Sequence, residues 1–249
     1  MALRPEMSPP GPSPEYFRVA TWNVNSLKAR TPALRRFLER AAPDVLLLQE
    51  TKAVEVAPIA AEVFAEFEYG VVHSGAGPYN GVAIAARHPI GEVIVSADFT
   101  DEHLGREPRL IAAVVEGPEP IRFASVYVPH GRQVGHWHYE YKLGFLAALR
   151  VQVSEWLAKG PLVLGGDVNV APTDSDIFHP DAFVGLTHVT QPERDALAAI
   201  LDAGLVDLDA HHWVLVSVAS RGGTTGSTIP ATSGCGSTCW PPTRGSPIG

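Results

Sequence analysis

An apolar run that feeds straight into Gly165-Gly166-Asp167-Val168-Asn169 places the tightest constraint on how this chain folds. Leu162-Val163-Leu164 reads as a strand buried on both faces, and such a strand needs a layer on either side. Residues i and i+2 of a strand share a face. Asp167 and Asn169 are therefore expected to point the same way where the strand ends. Two glycines let the backbone approach something bulky, and Pro172 stops the strand. A carboxylate and an amide offered together suit a hard divalent cation and a phosphate oxygen. A buried strand closing in an ordinary polar turn explains the same segment about equally well, so the rest of the chain decides.

Further apolar runs fit the same layered plan. Phe17–Trp22, Val45–Gln49, Gly81–Ala86, Leu110–Val115 and Ile121–Val128 read as strands. Ala33–Ala41, Ala57–Phe67, Tyr139–Lys159 and Gln191–Ala203 carry helical spacing, with Gly204 as a C-cap. Strands and helices in mixed order, with apolar strands covered on both faces, indicate α/β layers. The chain has 249 residues and 45% hydrophobic content, enough for a real core. No run of about 18 apolar residues exists, so no transmembrane helix is expected. Residues 1–14 are rich in proline without an apolar stretch and read as a disordered lead-in. A net charge of −8 argues against a generic basic nucleic-acid binder, but leaves room for an acidic metal site with a local basic rim. Cys235 and Cys239 stand alone near the C-terminus. That usage fits a reducing compartment, and the spacing lacks partners for a zinc site.

Several strand ends carry polar side chains. Asn23 and Asn25 follow the first strand, where an Asx turn is the plainer reading. Glu50 closes Val45-Leu46-Leu47-Leu48-Gln49, as a metal ligand would or as a surface acid beside Lys52. Tyr127 ends a third strand and could orient or protonate a phosphate oxygen. Otherwise it is a rim aromatic. Arg109 suits a phosphate, although a solvated loop charge is the commoner state. His130, His136 and His138 read as loop surface histidines.

Taken together, these positions form a pattern. Trp22-Asn23-Val24-Asn25, Gln49-Glu50-Thr51-Lys52, Tyr127-Val128-Pro129 and Gly166-Asp167-Val168-Asn169 occur in the order found in the exonuclease III family. That family is the abasic-site DNA repair branch of the endonuclease/exonuclease/phosphatase superfamily. Ala171-Pro172-Thr173-Asp174, Gln191-Pro192-Glu193-Arg194 and Gly204-Leu205-Val206-Asp207 resemble its later segments. The resemblance spans residues 17–207. It implies a four-layer α/β sandwich of two mixed β-sheets flanked by helices over residues 15–209. It also implies Mg²⁺ (or Mn²⁺)-dependent phosphodiester hydrolysis, with Asn23, Glu50, Asp167 and Asn169 around the metal. Asp167 would orient or deprotonate the attacking water, Asn169 would bind phosphate or metal, and Tyr127 would touch the scissile phosphate. Asn25, Lys52 and Arg109 would contact double-stranded DNA at abasic sites or 3′ ends. A cytoplasmic, nucleoid-associated monomer with no membrane contact is implied. A non-catalytic DNA-binding relative and a phosphoesterase acting on a lipid or inositol phosphate are the other readings.

The resemblance stops abruptly. The family's Trp-Trp-Asp-Tyr-Arg, Gly-Leu-Arg-Ile-Asp and terminal Ser-Asp-His segments are missing, and Ala210–Gly249 contains no Asp, Glu or Lys. His211 and His212 come too early to replace that histidine. Arg221-Gly222-Gly223-Thr224-Thr225-Gly226 can be encoded by CGT GGT GGG ACT ACC GGC. From the third base this reads Trp-Trp-Asp-Tyr-Arg. The same register through Trp240 can continue Leu-Asp-His-Pro-Arg-Asn-Leu-Gly-Leu-Arg-Ile-Asp-Leu-Leu. A frame change between Asp207 and Trp213 is therefore expected. It would make residues 210–249 an out-of-frame tail, leave the second sheet incomplete at its C-terminal end, and impair activity.

Overall fold

The computed structural model describes residues 17–177, 180–209 and 214–217. The chain runs β1 (Val19–Asn23), α1 (Leu27–Ala41), β2 (Val45–Gln49), α2 (Pro58–Glu66), β3 (Gly70–Ser74), β4 (Val82–Ala86) and β5 (Ile90–Ile94). It continues α3 (Glu102–Gly105), β6 (Leu110–Val115), β7 (Ile121–Tyr127), α4 (Trp137–Lys159), β8 (Leu162–Asp167), α5 (Gln191–Leu201), β9 (Asp207–Asp209) and β10 (Val214–Ser217). One sheet has the order β1-β2-β4-β3 and the other β5-β6-β7-β8-β10-β9. β1 and β2 pair in parallel, as do β7 and β8, and the remaining pairs are antiparallel.

Alternation along the strands builds the layers. Val45, Leu47, Val82 and Ile84 meet Ile111, Ala113, Phe123 and Val163 between the sheets. Their neighbours Leu46, Leu48, Ala83 and Ala85 face outward onto Leu34 and Leu38 of α1 and Val63 and Phe64 of α2. On the far side Leu110, Ala112, Ala124, Val126 and Leu164 pack against Phe145, Leu149, Val153 and Trp156 of α4 and Leu197 of α5. Helices, sheet, sheet and helices make the four-layer sandwich. Both parallel pairs aim strands β1, β2, β7 and β8 toward one end of it, which is where a site can be assembled.

Three differences from the sequence reading have physical causes. Helix α1 begins six residues earlier than Ala33, with Ser26 as its cap and Pro32 inside. Proline cannot donate to the Lys28 carbonyl four residues back. The Thr31 hydroxyl reaches that carbonyl at 3.2 Å, and Leu27 O at 3.0 Å, so the acceptor is not orphaned. Strands β3 and β5 lie at sheet edges and are half-exposed, so they lack the continuous apolar run that marks the central strands. Strand β10 lies inside the segment expected to fall outside the fold. It pairs antiparallel with β8 through Val216–Val163 and Ser217–Leu162, as a Val-Leu-Val run can. The lead-in over 1–14, residues 210–213 and the rest of the tail from 218 lie outside the described residues.

Candidate active site

The two sheets meet at a polar seam. Gln49, fully buried at the end of β2, donates to Ser125 Oγ of β7 at 2.9 Å and to Thr21 Oγ1 of β1 at 3.1 Å. Ser125 in turn donates to Leu48 O at 2.9 Å. This strut fixes the ends of β1, β2 and β7 relative to each other. The next residue after Gln49 is Glu50. Its left-handed backbone, φ 53°, turns the chain out of the strand.

At the seam Asn23 Nδ2 donates to Glu50 Oε1 at 2.7 Å and to Asp167 Oδ2 at 2.8 Å. One amide thus joins carboxylates from both sheets. The Tyr127 hydroxyl favours the charged form of Glu50, and Lys52 Nζ lies 3.0 Å from Glu50 Oε2. Lys52 further donates to Asn25 Oδ1, and Asn25 N–H donates to Asn23 Oδ1 at 3.1 Å in an Asx turn. The Asx turn expected at the asparagines is therefore present, and the same Asn23 side chain joins the two carboxylates.

Charge is managed closely here. Burial pushes Asp167 above the ordinary carboxylate range, with the Glu50 charge adding to it, while Asn23 and the Asn169 N–H pull the other way. Burial also works against the Glu50 charge, but the donors Asn23, Lys52 and Tyr127 outweigh it and hold Glu50 below its ordinary value. Tyr127 is raised by burial and by Glu50, so its hydroxyl stays protonated at neutral pH.

Asn169 departs from the expected shared face. Strand β8 ends at Asp167 and Asn169 adopts φ 50°, outside the strand. Its N–H donates to Asp167 Oδ1 at 3.1 Å and its Nδ2 to Val128 O at 2.8 Å. It therefore steadies Asp167 and the β7 exit. Arg109 also differs from a phosphate clamp exposed to solvent. It is only 9% exposed, with Nε 2.6 Å from Glu107 Oε2 and Cζ 4.8 Å from the Tyr127 ring centroid. Its place is beneath Tyr127, which it supports.

A second layer was invisible in the sequence. Lys142 and Glu193, both fully buried, form an ion pair. Lys142 Nζ also donates to Asn169 O at 2.6 Å. Glu193 accepts from Thr187 Oγ1, His188 N–H and both the N–H and the hydroxyl of Thr190. His188 Nδ1 contacts Asn169 O, and its Nε2 lies 3.1 Å from His130 Nε2. His130 is on the surface as expected, but within this network. His136 and His138 stack on each other at 5.2 Å beside Trp137. Among the described residues no group of three or more His, Cys, Asp or Glu side chains is gathered as a metal-ligand set. The centre offers two carboxylates with amides.

The endonuclease/exonuclease/phosphatase family profile matches residues 20–248. The chain belongs to this family. An exodeoxyribonuclease of Bacillus subtilis (strain 168) is 30% identical over 200 residues, covering 78% of this chain and 75% of that protein. Among solved structures, the 3′ phosphatase NExo from Neisseria bound to product DNA hairpin is 33% identical with a TM-score of 0.71, covering 78% of this chain and 73% of that one. An AP endonuclease from Archaeoglobus fulgidus is 32% identical with a TM-score of 0.70, covering 78% and 73%. The family assignment and the two-sheet fold read from four strand ends both stand. The profile match also runs past Asp207, where the sequence resemblance ended.

Proposed function

We propose that this chain is built for metal-assisted phosphodiester hydrolysis on DNA, at abasic sites or 3′ ends. The observation that carries this is the single Asn23 amide holding Glu50 and Asp167 together from opposite sheets, with the Tyr127 hydroxyl alongside. The names of the similar nucleases point the same way. Two hard anionic oxygens gathered on one nitrogen, with amide oxygens near, fit Mg²⁺ or Mn²⁺. Glu50 and Asp167 would hold the ion, with Asn23 and Asn169 beside them. Bound there, it would offset the charge that develops on the phosphate oxygens.

The chain's own residues divide the remaining work. Asp167, raised by burial and held by Asn23 and the Asn169 N–H, orients the attacking water and accepts its proton. Tyr127 keeps its proton and donates a hydrogen bond to a phosphate oxygen. Lys52 balances Glu50 and, with Asn25, faces the DNA backbone. Arg109 fixes the Tyr127 ring. The protein acts as a monomer in the cytoplasm, at the nucleoid. Among the described residues no helix is long and apolar enough to cross a membrane.

The sequence lacks the terminal Asp-His of the family, so we propose that activity of this chain is impaired. The test is a Mg²⁺ assay on duplexes carrying an abasic analogue, a recessed 3′ end or a 3′ phosphate. It compares this chain with one in which the alternative frame is restored after Asp207. The restored chain is expected to turn over at about 1 s⁻¹ or faster and this chain far more slowly. Full turnover by this chain would refute the impairment, and inactivity of both would refute the nuclease reading. Sequencing the gene across codons 207–213 settles the frame.

A further inference from the structure

The β7–β8 ladder ends where the centre begins. Tyr127 and Asp167 are its last register pair, and Val128 N–H donates to Asp167 O at 2.9 Å. Beyond that point both exits leave the extended backbone. Gly131 has φ 89°, Arg132 φ 57° and Asn169 φ 50°. A ladder cannot hold two chains of that shape side by side, yet their buried carbonyls still need donors. Among the described residues, Lys142 of α4 is the donor that reaches carbonyls on both sides. Its buried Nζ donates to Asn169 O at 2.6 Å on the β8 exit and to His130 O at 3.5 Å on the β7 exit. Thr187 Oγ1 accepts from it at 3.3 Å. Gly131 lets the β7 exit lie this close. A Cβ there would come 3.1 Å from Lys142 Cδ and 2.6 Å from Thr187 Oγ1.

We propose that Lys142 is a positioning residue of the centre, a role that rests on the hydrolytic reading above. Its ammonium clamps the β7 and β8 exits, so that Tyr127 and Asp167 stay in register for the metal and the phosphate. Stability alone does not account for the arrangement. A buried ion pair gains little over well-packed apolar residues of the same volume, and Glu193 already accepts four other hydrogen bonds. Beyond Glu193 and Thr187, the ammonium is spent on backbone carbonyls of the two exits. The clamp also stands one residue from Asp167 in hydrogen bonds. Asn169, whose carbonyl it holds, gives its N–H to Asp167 Oδ1 at 3.1 Å and its Nδ2 to Val128 O at 2.8 Å. Without the ammonium, Asn169 O keeps His188 Nδ1 alone among the described donors. The left-handed turn that aims its N–H at Asp167 is then free to relax.

Mn²⁺ binding by the full chain is measured by EPR, and amide hydrogen exchange by NMR. The unaltered chain is compared with Lys142→Met, Lys142→Arg and Val153→Ala, the last of which removes core volume from the same helix. Lys142→Met is expected to weaken Mn²⁺ binding about tenfold, as loss of a group behind a metal ligand does. It should also speed exchange of the Asn169 N–H about tenfold relative to the Leu164 N–H of β8. Lys142→Arg, which keeps the charge and the donors, should fall between. Val153→Ala should lower the melting temperature with neither change. Unaltered Asn169 exchange in Lys142→Met overturns the inference, as does an unaltered affinity where the parent chain binds the ion. An equal response in Val153→Ala overturns it too, by reducing Lys142 to general support of the fold. If Lys142→Met does not fold, Lys142→Arg against Val153→Ala decides by the same two readings. If the parent chain binds no Mn²⁺, the metal reading falls and Asn169 exchange alone decides the clamp.

Discussion

Asn23 uses both protons of one amide on two carboxylates that would otherwise repel each other across the seam. Removing it should leave Glu50 and Asp167 facing without the donor they share. Asn23→Ala is expected to raise the Asp167 pKa further, because the lost hydrogen bond favoured the charged form. It should also cost about 1–3 kcal/mol of stability. Carboxyl NMR titration and urea unfolding measure the two effects, and an unmoved Asp167 titration would contradict this role for Asn23. The glycines before Asp167 differ in what a side chain would meet, and Gly166 also sits at φ 156°, which L side chains rarely adopt. A Cβ on Gly166 would lie 1.9 Å from Val126 O on the neighbouring strand, whereas one on Gly165 would meet the movable end of Leu47 at 2.7 Å. Gly166→Ala should therefore destabilise by about 3 kcal/mol and Gly165→Ala by about 1 kcal/mol, measured by urea unfolding. Similar losses at the two sites would show that backbone contact is not what selects Gly166. Asn23, Glu50, Tyr127 and Asp167 were legible in the sequence because each closes an apolar run. Asn169 was misread in its direction, since a left-handed residue cannot be seen in a spacing rule.

At the scale of elements, the Lys142–Glu193 pair ties α4 and α5 to the turn that carries Asn169. Its two partners are not equally replaceable. Without Lys142, Glu193 still accepts four hydrogen bonds from Thr187, His188 and Thr190. Without the Glu193 charge, the buried Lys142 ammonium has only neutral acceptors. Glu193→Gln should cost about 3–5 kcal/mol, and Lys142→Met distinctly less. The reverse order in urea unfolding would refute the asymmetry. Burial opposes the Glu193 charge, but Lys142 and the other donors win and bring its pKa down to about 2. A carboxylate depressed on folding contributes stability above its ordinary value of 4.5, and loses it as pH falls toward 2. His188, lowered to about 4 by burial, adds an earlier loss below pH 6.5, where the unfolded chain takes up the proton first. Thermal melts should show stability falling through both windows, with the lower loss reduced in Glu193→Gln. None of this was readable in advance. A lysine on an amphipathic helix carries the signature of a solvent face, and only the packed structure shows α5 covering it. Strands β3 and β5 escaped notice for the converse reason, as edge strands with mixed polarity.

For the molecule as a whole, the layered plan was legible because the central strands alternate between two cores while remaining apolar throughout. The closing part of the second sheet was not, because residues 210–249 carry composition without periodicity, and only Val214–Ser217 of that stretch is seen against β8. The net charge of −8 has a further consequence. A chain this acidic gains nothing from its overall field on approaching DNA, so affinity must come from a few local cations. Lys52 at the seam and the exposed Arg106 and Arg132 are the candidates. Three phosphate contacts imply a slope of log K against log salt near −0.9 per contact. Doubling the salt should then weaken duplex binding about sixfold. Arg132→Ala should flatten the slope by about one contact. A much steeper slope would require a basic surface that the described residues do not present. A flat one would mean that the acidic body, not the rim, governs the encounter.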